Sequence, residues 1–264
     1  MGTMSQATGS MTSGRNATAD RAIDVLLLFD DESPVLSAVE VARRLNMSRS
    51  TTYRYLQSLR SYDLLEEDDH GGFRLGPRVF ELARVARKGL GLSELALPVM
   101  HELGRRVDEA VLLTRRSGDQ VVCVERVESS HPIRLSYERG HLLPLHAGAS
   151  AKVLLAFADP EEVKEVLGKG KLARFTDATV ADPRKLGAQL SVIREQGYAV
   201  SDGEVDVGVR GIAAPILQPD GSVAAGLSVA GPAFRLTDGR LPAVIAAVRE
   251  AANQISLRLA AIGG

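Results

Sequence analysis

"SRSTTYRYLQSL", residues 48–59, decides what the first part of this chain is. Thr52, Tyr55, Leu56 and Leu59 stand at i, i+3, i+4 and i+7, so a helix through this stretch gathers them on one face that can pack inward. The opposite face then carries Ser50, Thr51, Tyr53, Arg54 and Ser58, with Ser48 and Arg49 at the leading end. Between Glu40 and Asp63 the chain holds Arg43, Arg44, Arg49, Arg54 and Arg60 and no acid at all. Yet residues 21–76 together carry seven Arg against ten Asp or Glu, so the signal is segregation of charge rather than net charge. Phosphate oxygens attract arginine and accept from hydroxyls, while a few side chains reach base edges. The mixture suits a DNA groove.

The neighbouring segments complete a recognisable unit. "RAIDVLLLFDDES", from Arg21, places Ile23, Leu26 and Leu27 on helical spacing before the Ser33-Pro34 break. "SAVEVARRLN" follows, with Val39, Ala42 and Leu45 on one face, Ser37 as N-cap and Glu40 at capping-box distance. Only Asn46 and Met47 separate this helix from the next, which forces a sharp turn and makes a helix-turn-helix. After it, "LLEEDD" and "GFRLG" joined by "HGG" form a hairpin, the wing. The DNA-contact residues expected from this arrangement are Arg43, Arg44, Ser48, Arg49, Ser50, Thr51, Tyr53 and Arg54. Arg49 and Arg54 read equally well as base readers or phosphate clamps. A second reading remains open: a small-molecule sensor or enzyme-like binding domain whose winged helix serves protein contacts.

Composition narrows the class. A net charge of −1 excludes a polycation, so any nucleic-acid face must be local. One cysteine, Cys123, excludes an internal disulfide and a thiol zinc site and fits a reducing cytoplasm. The longest apolar runs, "VLLLF" and "LPAVIAAV", fall far short of the roughly 20 residues a membrane span needs. Residues 1–20, rich in Ser, Thr and Gly, are expected to be a disordered tail. "GASAK" lacks the closing glycine of a nucleophile elbow, and the five histidines show no metal-ligand spacing. No catalytic residue, metal site or cofactor is expected.

From Pro77 a helical periodicity runs to "GLG" near residue 90, which suggests a linker helix over 77–90 and a second domain over 91–262. Strand-like runs "AVLLTRR", "QVVCVERV" and "IRLSYERG" are followed by helical segments near 149–157, 160–167 and 182–196. Strands at "IAAPIL" and "VAAGLSVA", joined by "PDG", and a helix over 239–260 close the chain. The second domain is α+β with an antiparallel sheet flanked by helices.

The stretches "SRSTTYRYLQSL", "GGFRLG", "LPLHAGASAKVLLA", "REQGYAVSDGE", "GVRGIAAPIL" and "AAGLSVAGP" together resemble the IclR family of bacterial transcription regulators, over nearly the whole chain from Arg21. The resemblance implies a winged helix-turn-helix, here 21–76, joined to a GAF-like effector domain. It implies dimers or dimers of dimers whose grip on operator DNA a small organic molecule adjusts, most often as repressors. It also implies an effector site at Ala149, Ser150, Asp202, Val209, Gly211, Ser228 and Ala230. The helix start at "HAGASAK", with small side chains and free amides, suits a carboxylate. Gly211 and Ala230, small and apolar, suggest a roomier pocket for a larger tail than glyoxylate or pyruvate carries. His146 is the histidine nearest that helix start.

Overall fold

The computed structural model describes residues 17–89, 91–131, 137–170 and 172–263. They form two compact units that divide between Ala86 and Arg87. In the first, α1 (Ala17–Leu26), α2 (Ala38–Arg44) and α3 (Arg49–Ser61) surround Val25, Val41, Leu56 and Leu59, with Leu36, Leu65 and Phe73 contributed by the strands. Helix α2 starts where its sequence requires. Ser37 Oγ accepts from the Glu40 amide at 3.2 Å, and the Ser37 amide donates back to the Glu40 carboxylate at 2.9 Å, a closed capping box. Asn46, with φ of 51°, makes the sharp turn into α3; asparagine is among the few non-glycine residues that tolerate this region.

The wing is β2 (Leu65–Glu67) paired antiparallel with β3 (Gly72–Leu75). A short strand absent from the sequence reading, β1 (Leu36–Ser37), adds to the other edge of β3, giving the order β1-β3-β2. Asp68 shapes the wing tip by accepting from the amides of His70 (2.9 Å) and Gly72 (2.7 Å). These bonds hold its carboxyl below the ordinary range. One expectation changes. Residues 17–20, assigned to the tail, are the first turn of α1, where Asp20 faces the positive helix end favourably; residues 1–16 lie outside the described residues. The unit boundary falls inside α4 (Arg78–Gly89), within the span expected for the linker helix.

The second unit is a six-stranded antiparallel sheet buried on both faces. In chain order it contains α5 (Leu92–Val107), β4 (Ala110–Ser117), β5 (Gln120–Val127), β6 (Leu142–Pro144), α6 (Ala149–Ala156), α7 (Pro160–Gly168), α8 (Pro183–Gln196), β7 (Ala199–Asp202), β8 (Val209–Leu217), β9 (Val223–Pro232) and α9 (Leu241–Gly263). Its strands run β6-β5-β4-β9-β8-β7. Side chains alternate between the faces. Ile212, Ala214, Ile216, Leu227 and Val229 join the core under α5 and α9, while Leu112, Ala213 and Ala230 join the core under α6 and α8. The third strand expected at "IRLSYERG" is displaced: residues 132–136 lie outside the described residues, 137–141 carry no strand, and the sheet edge is β6, the three residues "LLP". Strand β7, at the other edge, comes from "AVSD", which the sequence reading left without an element.

Gly76 closes the wing against the core. A Cβ there would lie 2.3 Å from the Asp63 carbonyl oxygen, which is backbone and cannot swing away. Gly76→Ala is expected to destabilise the first unit by about 1–3 kcal/mol. Thermal unfolding of the full chain should show the transition of that unit moving down and the other unchanged; an unmoved transition refutes the packing.

Candidate functional site

The exposed face of α3 sorts its residues by what already engages them. Ser48 is the N-cap, accepting from the Thr51 amide at 3.2 Å, with Thr51 Oγ1 and Ser50 Oγ at 2.8 and 3.2 Å from its hydroxyl. The expected contact residues Ser48, Ser50 and Thr51 therefore share one hydroxyl network that fixes the helix start. Tyr53 lies edge-on to the buried ring of Phe73, centroids 6.4 Å apart, and so braces the wing against the helix. Arg44 donates to Ser33 Oγ at 3.0 Å. Arg60 pairs with Glu67 of β2 at 2.7 Å, which turns one of the five arginines into a strut between helix and wing. Arg43, near Glu40, is exposed. Arg49 and Arg54 are exposed on α3 itself, and no acid pairs with either among the described residues. They are the charges this face has left to offer.

In the second unit a cavity of about 50 Å³ opens between the sheet and the start of α6. Ala149, Ser150, Val209, Gly211, Ser228 and Ala230 line it, six of the seven residues expected for an effector. Asp202 does not. Strand alternation turns Ser201 into the cavity and Asp202 out, where it accepts from Arg210 Nε at 3.0 Å. Arg210 also reaches Asp238 at 2.7 Å, so this cation clamps the outer side of the strand pair. The alternation of "AVSD", once taken as a strand, would have selected Ser201. Gly211 also departs from the expectation: a Cβ there would meet Ser201 Oγ at 3.1 Å and Ala149 Cβ at 3.5 Å, so its missing side chain admits close packing and adds no room. His146 turns away, 2.8 Å from the Ala173 carbonyl and packed on Phe175.

The helix start is partly satisfied by the protein itself. An α-helix leaves four amides without internal partners, here those of Gly148, Ala149, Ser150 and Ala151. The Gly148 amide donates to Glu204 Oε2 at 3.2 Å and that of Ala149 to Ser201 Oγ at 3.0 Å. Glu204 Oε1 bonds Lys152 Nζ, both side chains buried, and Gln189 Oε1 lies 3.3 Å from the same ammonium. The amides of Ser150 and Ala151 remain for a ligand. Beside them Ser150 Oγ donates to Ser228 Oγ at 2.8 Å. At the other end of the cavity Tyr137 donates its phenol to Asp206. Burial first, and that bond second, push the Tyr137 phenol well above its ordinary range, so it stays a donor. Leu112, Leu143 and Val205 supply apolar wall between. Tyr137, Glu204 and Asp206 carry no local signal in the sequence, because they meet the cavity only through tertiary contacts.

Burial pushes the Cys123 thiol up to about 11, which suppresses the thiolate a nucleophile needs. Among the described residues no group of His, Cys, Asp or Glu is placed to hold a metal ion, and no helix is long and apolar enough to cross a membrane.

Comparison with known proteins accounts for both units. Residues 18–69 match the IclR helix-turn-helix domain, and residues 85–257 match the C-terminal domain of bacterial IclR transcriptional regulators. The chain is 38% identical over 253 residues to the HTH-type transcriptional regulator BhcR of Paracoccus denitrificans, covering 96% of this chain and 90% of that protein. It is 32% identical over 241 residues to the HTH-type transcriptional repressor AllR of Salmonella paratyphi A, covering 91% and 89%. Among solved structures, an IclR homologue from Microbacterium hydrocarbonoxydans, complexed with 4-hydroxybenzoate, is similar with a TM-score of 0.80 and 32% identity, covering 93% of this chain and all of that one. With a helix-turn-helix that presents unpaired arginines, and relatives that are transcriptional regulators rather than enzymes, this chain belongs to the IclR family of DNA-binding transcription regulators.

Proposed function

We propose that this regulator is a cytoplasmic repressor that binds its operator as a dimer or dimer of dimers and answers to a small organic carboxylate held in the cavity beside α6. The observation that carries the effector reading is that cavity: the free amides of Ser150 and Ala151 and the Ser150–Ser228 hydroxyl pair form a donor-rich end, with apolar wall beyond it. The solved relative with bound 4-hydroxybenzoate supports a ring-bearing acid as the class. Asp206, on the exposed segment 206–208, lines the mouth of that cavity. The repressor mode is supported by relatives named as repressors.

Self-association is supported by apolar side chains that the first unit leaves in solvent: Phe80, Leu82 and Val85 on α4, Ile23 on α1 and Leu27 just after it. A two-fold dimer would set two copies of α3 in successive major grooves of a palindromic operator. The ligand changes operator affinity only by the difference in how tightly it binds the two conformations. Helix α4, which crosses the boundary between the units, is the carrier of that change.

Three outcomes follow. Arg49→Ala and Arg54→Ala should each weaken operator binding. A lost phosphate contact lowers affinity for all sequences and flattens the salt slope by about 1, whereas a lost base contact relaxes specificity; unchanged binding in both variants rejects this face. Ser150→Trp should fill the cavity and abolish the response to ligand while operator affinity in its absence stays that of the parent. A retained response moves the ligand site elsewhere. Phe80→Glu should shift the sedimentation profile toward monomer, and an unshifted profile removes α4 from the interface.

A further inference from the structure

The two ends of the cavity differ in chemistry. At the closed end Ser228 and Ser150 are buried, and their hydroxyls and the neighbouring amides are donors or can rotate to donate. At the open end stands Asp206, exposed, an acceptor. Register separates them: Val209, which follows the turn at Asp206, pairs with Pro232, four residues along β9 from Ser228, roughly 13 Å at the strand rise. The charge of Glu204 is met by Lys152. That of Asp206 is not. Its partner is the neutral phenol of Tyr137, and no cation pairs with it among the described residues. Arg210, the nearest arginine in sequence, is taken by Asp202 and Asp238. Tyr137 engages Oδ2 and leaves Oδ1 able to accept from a second donor.

We infer that Asp206, oriented by Tyr137, is a specificity-determining residue that selects effectors bearing a hydroxyl or amino group at the end away from their carboxylate. This rests on the reading of the cavity as the effector site. A ligand whose acid lies at the Ser150 end presents its far end to the mouth, and a donor there satisfies Asp206. A second carboxylate there meets a like charge with no counter-ion, and an apolar end leaves the acceptor without a partner where the ligand displaces water.

The test is calorimetric titration of the full chain, at constant pH, with two matched sets of acids: benzoate, 4-hydroxybenzoate, 4-aminobenzoate and benzene-1,4-dicarboxylate; and butyrate, 4-hydroxybutyrate, 4-aminobutyrate and succinate. The parent protein should bind the hydroxyl or amino member of at least one set about ten-fold more tightly than its unsubstituted acid, as a hydrogen bond to a charged group provides. The dicarboxylate should bind weakest. In Asp206→Ala that advantage should fall to about two-fold or less, and the unsubstituted acid should bind at least as tightly as to the parent, since no acceptor is left unpaired. Asp206→Asn should recover dicarboxylate binding. Tyr137→Phe should reduce the hydroxyl preference without abolishing it, since Asp206 remains but is less fixed. Operator binding by each variant, measured without ligand, reports that it is folded. Binding of the acids without discrimination, or discrimination that survives in Asp206→Ala, overturns the role of Asp206 and leaves the cavity reading standing. No binding by any member of either set overturns the cavity reading, and this inference with it.

Discussion

The carboxylate of Glu204 is bound at both oxygens, one to the Gly148 amide at the head of α6 and the other to the buried ammonium of Lys152. Burying either charge alone would cost several kcal/mol, and the pair is tolerable only because hydrogen bonds complete it. Gln189 supplies one to Lys152, and Thr179 Oγ1 donates to the Glu204 carbonyl at 2.7 Å. The interaction therefore ties α6, α8 and the β7–β8 loop to one point. That anchoring divides the loop: Gly203 and Glu204 are buried, while Asp206, Val207 and Gly208 are exposed. A cavity with a buried inner end and an exposed outer one follows from where this single carboxylate is held.

The same anchor explains why part of the site was hidden in the sequence. Helix α3 was legible because its evidence is local: Thr52, Leu56 and Leu59 recur at helical spacing and are buried, and Ser37 with Glu40 announced the start of α2. The α6 start was legible for a similar reason, since "HAGAS" combines small residues with a helical run behind them. Lys152 and Glu204, by contrast, lie 52 residues apart, and Tyr137 and Asp206 lie 69 apart. No periodicity connects such pairs. Asp202 and Ser201 part on register: along a strand adjacent residues face opposite ways, so Ser201 lines the cavity and Asp202, one step on, points out of it.

Counting arginines in the first unit also overstated its binding face. Five stand between Glu40 and Asp63, yet Arg60 reaches Glu67 and Arg44 reaches Ser33, so the fold uses two of them to hold its own parts together. Serine and tyrosine behave alike: Ser48 caps α3 and Tyr53 braces the wing through Phe73. Residues chosen for groove chemistry are partly those that stiffen the element presented to the groove. A rigid helix loses less entropy on docking, so on the proposed reading of α3 the capping network would aid DNA binding even where it touches no base.

On the proposed reading, coupling between the two units starts from what a ligand changes. The inner end of the cavity offers little to move, since Ser150, Ser228 and Glu204 are buried and hydrogen-bonded. The compliant contact is at the mouth, where Tyr137, from the segment before β6, meets Asp206, from the loop before β8. A ligand that enters must either break that contact or join it. The free energy it transmits is bounded by the difference between those contacts with and without it, because a ligand that bound both conformations equally would shift nothing. Strands β8 and β9 continue from the cavity wall into the core under α5 and α9. On that reading a change at the mouth would reach α5, the helix that follows α4 in the chain, through packed side chains.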